Sequence, residues 1–447
     1  MKKLTKRWQL FLYAAAGMGI NMLNLMVGSY LCSALLVGGF GKEVVPYQTF
    51  AQRDLIIPAV WAVFALAAKI IDGIIDIPMA SLTDNLRSRF GRRRPAILIG
   101  LILVVAAYLL FLVIPTRGAT LGNTIYYGIV LCVFYSFYTL TMVTYYATFT
   151  EIVETEEKRR TISNVKSVFD IIYFILGYVV VRMLLNGLNI RVVALIVLPL
   201  ALTMIIPLFM IKEPSSKNIE KTKTVGLFKS LACTFKNRTF IIWMIVYAFM
   251  TFGVQLFLGG INEYFSFVGM NMIFVMVAAF APVPFTLILY NRLTRKHGFG
   301  FAFRYTLIIY SAGMLCMFFV GLMGGGAAKT ILSIVTGLLS SFAIGAIFSV
   351  AYSIPSQLAA EEEENTGVAN SAMYFAVQGL FAGVASGIAT GVVLTALKGS
   401  ETQNSGAMKY MTLISAIGTL VALILTFALP RSLVELGSQN KEKAKKD

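Results

Sequence analysis

Charge is what this sequence lacks most. Asp, Glu, Lys and Arg make up 13% of its 447 residues, about half the share of a soluble domain, which excludes an ordinary water-soluble fold. Histidine is nearly absent, His297 standing alone. With no HExxH or GxSxG arrangement either, the chain offers none of the usual clusters of a membrane-embedded hydrolase or transferase, and it is read as no enzyme. Four cysteines, Cys32, Cys132, Cys233 and Cys316, stand far apart. They show neither paired-loop nor metal spacing and read as small core hydrophobes. Acid is scarcer than base, 21 residues against 38, for a net charge of +17. A polytopic membrane protein collects that surplus in its cytoplasmic loops, so nucleic acid is not expected as a partner.

What the chain has in abundance is apolar length. Hydrophobic residues make up 58% of it and the mean hydropathy is +0.78. They fall in runs of about 20, enough for a helix to cross ~30 Å of hydrocarbon. The class is an all-α membrane protein. Lys2, Lys3, Lys6 and Arg7 before an apolar run mimic a signal peptide, but the run continues to about Leu36, too long for one, and reads as the first span. Twelve spans are expected, near 10–38, 55–82, 95–115, 124–149, 165–187, 191–211, 239–261, 268–291, 301–323, 328–354, 367–396 and 407–430. Alternate connecting segments are rich in base, including Arg87 to Arg94, Lys158 to Arg160, Lys212 to Arg238 and Lys441 to Lys446; the others hold few charges, such as Arg117 and Lys329. That asymmetry puts both termini in the cytoplasm and the protein in the cell membrane.

The longest polar gap, 212–238, divides the chain into six-span halves, 1–211 and 239–430, with a cytoplasmic tail at 431–447. Basic loops follow the second span of each half, Asn85 to Arg92 in the first and Asn291 to Gly298 in the second. Similar loops at corresponding positions are the mark of an internal parallel repeat, and the expected architecture is the major facilitator fold, with a substrate site between the halves near mid-membrane.

The chemistry concentrates in Lys69 to Pro95. A carboxylate in mid-span costs about 2.5–3.5 kcal/mol on insertion scales and asks for a function. Lys69, Asp72 and Asp76 lie at i, i+3 and i+7, on one helix face. One base against two carboxylates leaves a net negative charge that one Na⁺ or H⁺ would neutralise; the alternative is a Lys69–Asp72 pair that only locks two helices. Asp84, Arg87, Arg89, Gly91, Arg92, Arg93 and Arg94 follow as a basic loop suited to a conformational latch.

Asp72-x-x-x-Asp76-x-Pro78, followed by Asp84-Asn85-x-Arg87-Ser88-Arg89-x-Gly91-Arg92-Arg93-Arg94-Pro95, closely resembles the glycoside–pentoside–hexuronide:cation symporters, the melibiose permease family. Gly19-Ile20-Asn21, Tyr145-Tyr146-Ala147 to Glu151 with Arg159-Arg160-Thr161, and Tyr374-Phe375-Ala376-Val377 extend the resemblance along most of the chain. It implies that Asp72 and Asp76 bind the coupling cation with a hydroxyl from Thr139, and that Asn21 and Lys166 face a sugar stacked near Tyr145 and Tyr146. Met142 stands where the family has a further acid, Ala382 or Gly383 where it commonly has Lys, and Thr150 where it has Pro.

Lys166 and Asp170, at i and i+4, read either as a pair or with Lys166 reaching water at the membrane boundary. Gln255 and Gln378 would hydrogen-bond a substrate or bridge helices. Glu263 is placed in or near an outside loop, and Glu361 to Glu364 in a cytoplasmic one. The reading is a monomeric secondary transporter carrying a sugar or glycoside with Na⁺ or H⁺ and needing no bound cofactor. Amphipathic lipid is the alternative cargo.

Overall fold

A computed structural model describes the chain apart from residues 1–5, 37–53, 76–77, 80–82, 84–85, 117, 153–155, 186, 214, 216–234, 236, 269–271, 367–370, 402–405 and 436–447. Every regular element among the described residues is helical, and the chain divides into two compact units, Met1–Thr224 and Val225–Asp447.

Unit 1 holds α1 (Arg7–Ala34), α2 (Pro58–Ile74), α3 (Arg93–Phe111), α4 (Leu121–Glu151), α5 and α6 (Ile190–Met210). Helix α5 is built of Glu156–Ile175, a π-helical stretch Leu176–Val180 and a final turn Val181–Leu185. Unit 2 holds α7 (Arg238–Val268), α8 (Ile273–His297), α9 (Phe299–Leu322), α10 (Ala327–Thr366), α11 and α12 (Ala407–Ala428). Helix α11 repeats the three-part build of α5 as Ser371–Ser386, π-helical Gly387–Val393 and Leu394–Glu401. Eleven of these helices are long and apolar enough to cross a membrane; α2, whose described part is 17 residues and carries Lys69 and Asp72, is the twelfth helix.

The helix starts follow the sequence. Pro58, whose missing N–H costs nothing at a first turn, opens α2. Thr120 Oγ1 accepts the Asn123 N–H at 3.1 Å to cap α4, and Asn189 Oδ1 accepts the Arg191 N–H at 2.9 Å to cap α6. Two expectations about charged residues fail here. Helix α10 runs past 354 to Thr366, so Glu361 to Glu364 belong to a helix and not to a loop; Ala359, Ala360 and the glutamates are good helix formers, and a helix need not stop where the hydrocarbon does. Likewise α8 continues through the basic residues to His297.

Within each unit small residues let backbones close up, as packing without a water-driven force requires. A Cβ on Gly19 of α1 would lie 1.7 Å from the Leu200 carbonyl oxygen of α6, so only glycine fits there. In unit 2, Ser415 Oγ of α12 donates to the Gly253 carbonyl of α7 at 2.7 Å, and Ser311 and Thr419 share a 2.7 Å bond between α9 and α12. Large apolar side chains stand exposed on the outside of both units, among them Phe209, Phe285, Ile331 and Ile424. In water such a surface would aggregate; against lipid it is the required solvent face. Cys316 is on that exposed face and Cys32 and Cys132 are half-buried, so the expected core placement fails for Cys316; Cys233 lies outside the described residues.

Candidate functional site

Helices α2 and α4 run parallel. The Ile57 N–H donates to Thr124 Oγ1 at 2.9 Å, and Phe64 fills the space a side chain on Gly128 would need. Further along the same seam, Lys69 meets Tyr135 and Asp72 meets Thr139. Thr139 Oγ1 donates to Asp72 Oδ1 at 2.9 Å, while Lys69 Nζ stands 3.8 Å from Asp72 Oδ2 and 3.9 Å from the centre of the Tyr135 ring. The Lys69 and Asp72 side chains keep 21% and 26% of their surface. The ammonium is therefore divided between a carboxylate and an aromatic face, at a distance that leaves Oδ2 open to a closer cation. Asp76 and Asp84 lie outside the described residues.

A second polar cluster joins α1, α4 and α5. Lys166 Nζ contacts Asp170 Oδ2 at 2.5 Å, and Asn21 Nδ2 reaches Asp170 Oδ1 at 3.4 Å. The Tyr138 hydroxyl donates to Asn21 Oδ1 at 3.0 Å, and the Lys166 ammonium stands 4.9 Å from the centre of the Tyr146 ring. Of the two readings of Lys166, pairing with Asp170 is the one realised. The cluster presents donors, acceptors and an aromatic face together, a set that suits a hydroxylated ring: polar edges for the hydroxyls, a flat apolar face for the C–H groups.

The two clusters share α4, where Tyr138 and Thr139 are consecutive residues. At 100° per residue they face different neighbours, one towards Asn21 and the other towards Asp72. Tyr135 and Tyr138 were not legible as site residues in the sequence. Their 3-residue spacing, two turns before Met142 and Tyr145, was the available signal.

Tyr145 is misplaced by the sequence reading. It is fully buried, its hydroxyl donates to the Tyr13 carbonyl, and its ring stacks on Tyr13 at 5.5 Å. It fastens α4 to α1, and only Tyr146 of the pair borders the polar cluster. Gln378 is buried and accepts the Trp243 indole N–H at 3.1 Å, bridging α11 to α7, whereas Gln255 is half-buried on α7. Glu263 stands inside α7 and not in a loop, wholly buried with Lys398 of α11 at 2.7 Å. Helix α11 thus has a base, but more than a dozen residues beyond Ala382 and Gly383.

The basic loop is held by a residue the sequence reading passed over. Glu213, just past α6, accepts the Arg93 N–H at 2.8 Å through Oε2 and so neutralises the start of α3. Gly91 has φ +86, and a Cβ there would lie 2.2 Å from the Glu213 carboxylate. Arg93 is buried with its guanidinium 3.4 Å from Thr83 Oγ1; Arg92 and Arg94 are half-buried, and Arg87 and Arg89 are exposed. Among the described residues no group of three His, Cys, Asp or Glu is arranged to hold a metal ion.

Among solved structures, the chain is similar to a mutant of the nucleoside transporter NupG, at 13% identity and a TM-score of 0.63 over 94% of this chain and 99% of that one. A bacterial homologue of the human lysosomal transporter Spinster, inward-facing and unoccupied, gives 12% and 0.61 over 97% and 99%. NupG itself gives 15% and 0.59 over 95% and 98%. At these identities the likeness is one of fold, and the fold is that of the major facilitator transporters. No curated protein matches the chain. The family described as MFS/sugar transport protein matches residues 12–433, nearly the full length, and the chain belongs to it.

Proposed function

We propose that this protein is a secondary transporter that moves a sugar or glycoside together with a monovalent cation, Na⁺ or H⁺, by alternating access. Membership of the family makes it a membrane transporter; coupling and cargo are the added reading. In this reading Asp72 and Thr139 bind the cation, with Asp76 four residues further along the sequence, and Asn21, Lys166, Asp170 and Tyr146 bind the solute.

The observation that carries it is the adjacency of Tyr138 and Thr139 on α4. A cation arriving at Asp72 draws on the Thr139 hydroxyl and displaces Lys69 towards Tyr135. Any resulting rotation of α4 moves Tyr138, which now occupies Asn21. Freeing Asn21 gives the solute a hydrogen-bonding group it lacks when the cation site is empty. Each ligand thereby raises the affinity for the other, the reciprocity that coupling demands. The same reading places the protein in the cell membrane as a monomer with both termini in the cytoplasm, from the basic segments. It requires no bound cofactor.

Thermal-shift screening of sugars, nucleosides and lysolipids, with Na⁺ or choline and at two pH values, tests it. The expected result is a sugar whose stabilisation grows with Na⁺ or with acid. Stabilisation by a lysolipid or nucleoside alone would overturn the cargo, and indifference to both ions would overturn the coupling.

A further inference from the structure

Helices α5 and α11, each the fifth of its unit, share a build that α1 also has: an α segment, a π-helical stretch and a short terminal α segment. Each terminal segment carries a buried base, Arg182 in unit 1 and Lys398 in unit 2. The ammonium of Lys398 lies 2.7 Å from Glu263 Oε1 of α7, with 3% of the lysine side chain and none of the glutamate side chain exposed. The other oxygen, Oε2, is buried and accepts no hydrogen bond from the protein among the described residues.

Such a pair is a poor brace. Removing both charges from water carries a large desolvation cost, and their attraction repays it only with full hydrogen bonding. Here one carboxylate oxygen goes unserved, which adds a further penalty. Opening the pair would hydrate both charges, so an open state can compete with the closed, dry one seen here.

The neighbouring backbone has the matching property. Just before Glu263, α7 presents Gly259 and Gly260 to α11 and α12. A Cβ on the first would lie 2.7 Å from Thr390 Cγ2, inside the π stretch, and on the second 2.3 Å from Met411 Sδ. A π stretch accommodates an extra residue in the helix, and such bulges favour functional positions. Returning it to α geometry would turn everything beyond it by about 100° and swing Lys398 off Glu263. The end of α7 itself is tied down: Tyr264 donates to the Met317 carbonyl at 2.8 Å, and Lys329 to the Val268 carbonyl at 2.6 Å.

We propose that Glu263 and Lys398 form a conformational clasp at the end of unit 2 away from its basic segments, opened by a π-to-α register shift in Gly387–Val393. The terminal segment of α11 is the moving part and α7 the fixed post. The clasp is independent of which solute or ion the protein carries, so its test needs neither.

Spin labels at Phe267→Cys and Ala396→Cys, both exposed positions, report the separation of α7 and α11 in protein otherwise free of cysteine. Double electron–electron resonance should give a short distance for the native pair. E263Q, K398M and deletion of Ile388 within the π stretch should each move the population several ångströms longer, while the exchanged pair E263K/K398E restores the short distance. Unchanged distances in the neutralised variants, with only a lower melting temperature, would mean a packing brace and overturn the clasp. Should neither neutralised variant fold, the exchanged pair decides: folding with the short distance supports the clasp, and failure to fold overturns it.

Discussion

Replacing Thr139 with Val removes one hydroxyl from the Asp72 site and almost no volume. In the structure that hydroxyl donates to Asp72 Oδ1 at 2.9 Å, which puts a neutral oxygen beside the carboxylate. A hydrogen bond to a charged group is worth about 1.5–3 kcal/mol, and we take the lost oxygen ligand to be of the same size. At about 1.4 kcal/mol per tenfold, half-saturation by the coupling cation should rise roughly 10- to 150-fold. The assay is a cation titration of solute uptake into proteoliposomes, with intrinsic fluorescence as a second readout. Solute affinity at saturating cation should shift far less, because the substitution leaves Asn21, Lys166, Asp170 and Tyr146 unaltered. A T139V protein that melts like the parent and shows an unchanged cation half-saturation would refute the assignment.

Two further outcomes follow from the geometry. Y145F should lose about 0.5–1.5 kcal/mol of stability, the worth of an ordinary hydrogen bond, while solute half-saturation stays unchanged, because Tyr145 binds the Tyr13 carbonyl and not the polar cluster; a thermal melt beside an uptake curve separates the two. G91A should cost about 1–2 kcal/mol from its left-handed backbone and more from displacing Glu213. Its melting temperature should fall, and E213A should produce part of the same loss.

The fold was largely legible because each span announces itself by length and apolarity, and because base marks one set of connections. The Asp72–Thr139 pairing came from the resemblance, and the structure brings those two residues together. What escaped was anything set by facing. Aromatic and hydroxyl residues surround α4 on all sides, so no periodicity says that Tyr138 meets Asn21 while Tyr145 turns into the core. Glu263 escaped for another reason: an acid at the edge of an apolar run looks like the start of a loop, and its partner Lys398 is 135 residues away. Glu213 likewise caps a helix 120 residues earlier in the chain.

If Asp72 couples a cation to solute movement, uphill uptake measures that coupling directly. In proteoliposomes holding the purified protein, an inward Na⁺ or proton gradient should drive accumulation of the solute above its outside concentration. D72N should abolish that accumulation while still exchanging labelled for unlabelled solute across the membrane without a gradient. Accumulation by D72N equal to that of the parent would contradict the account.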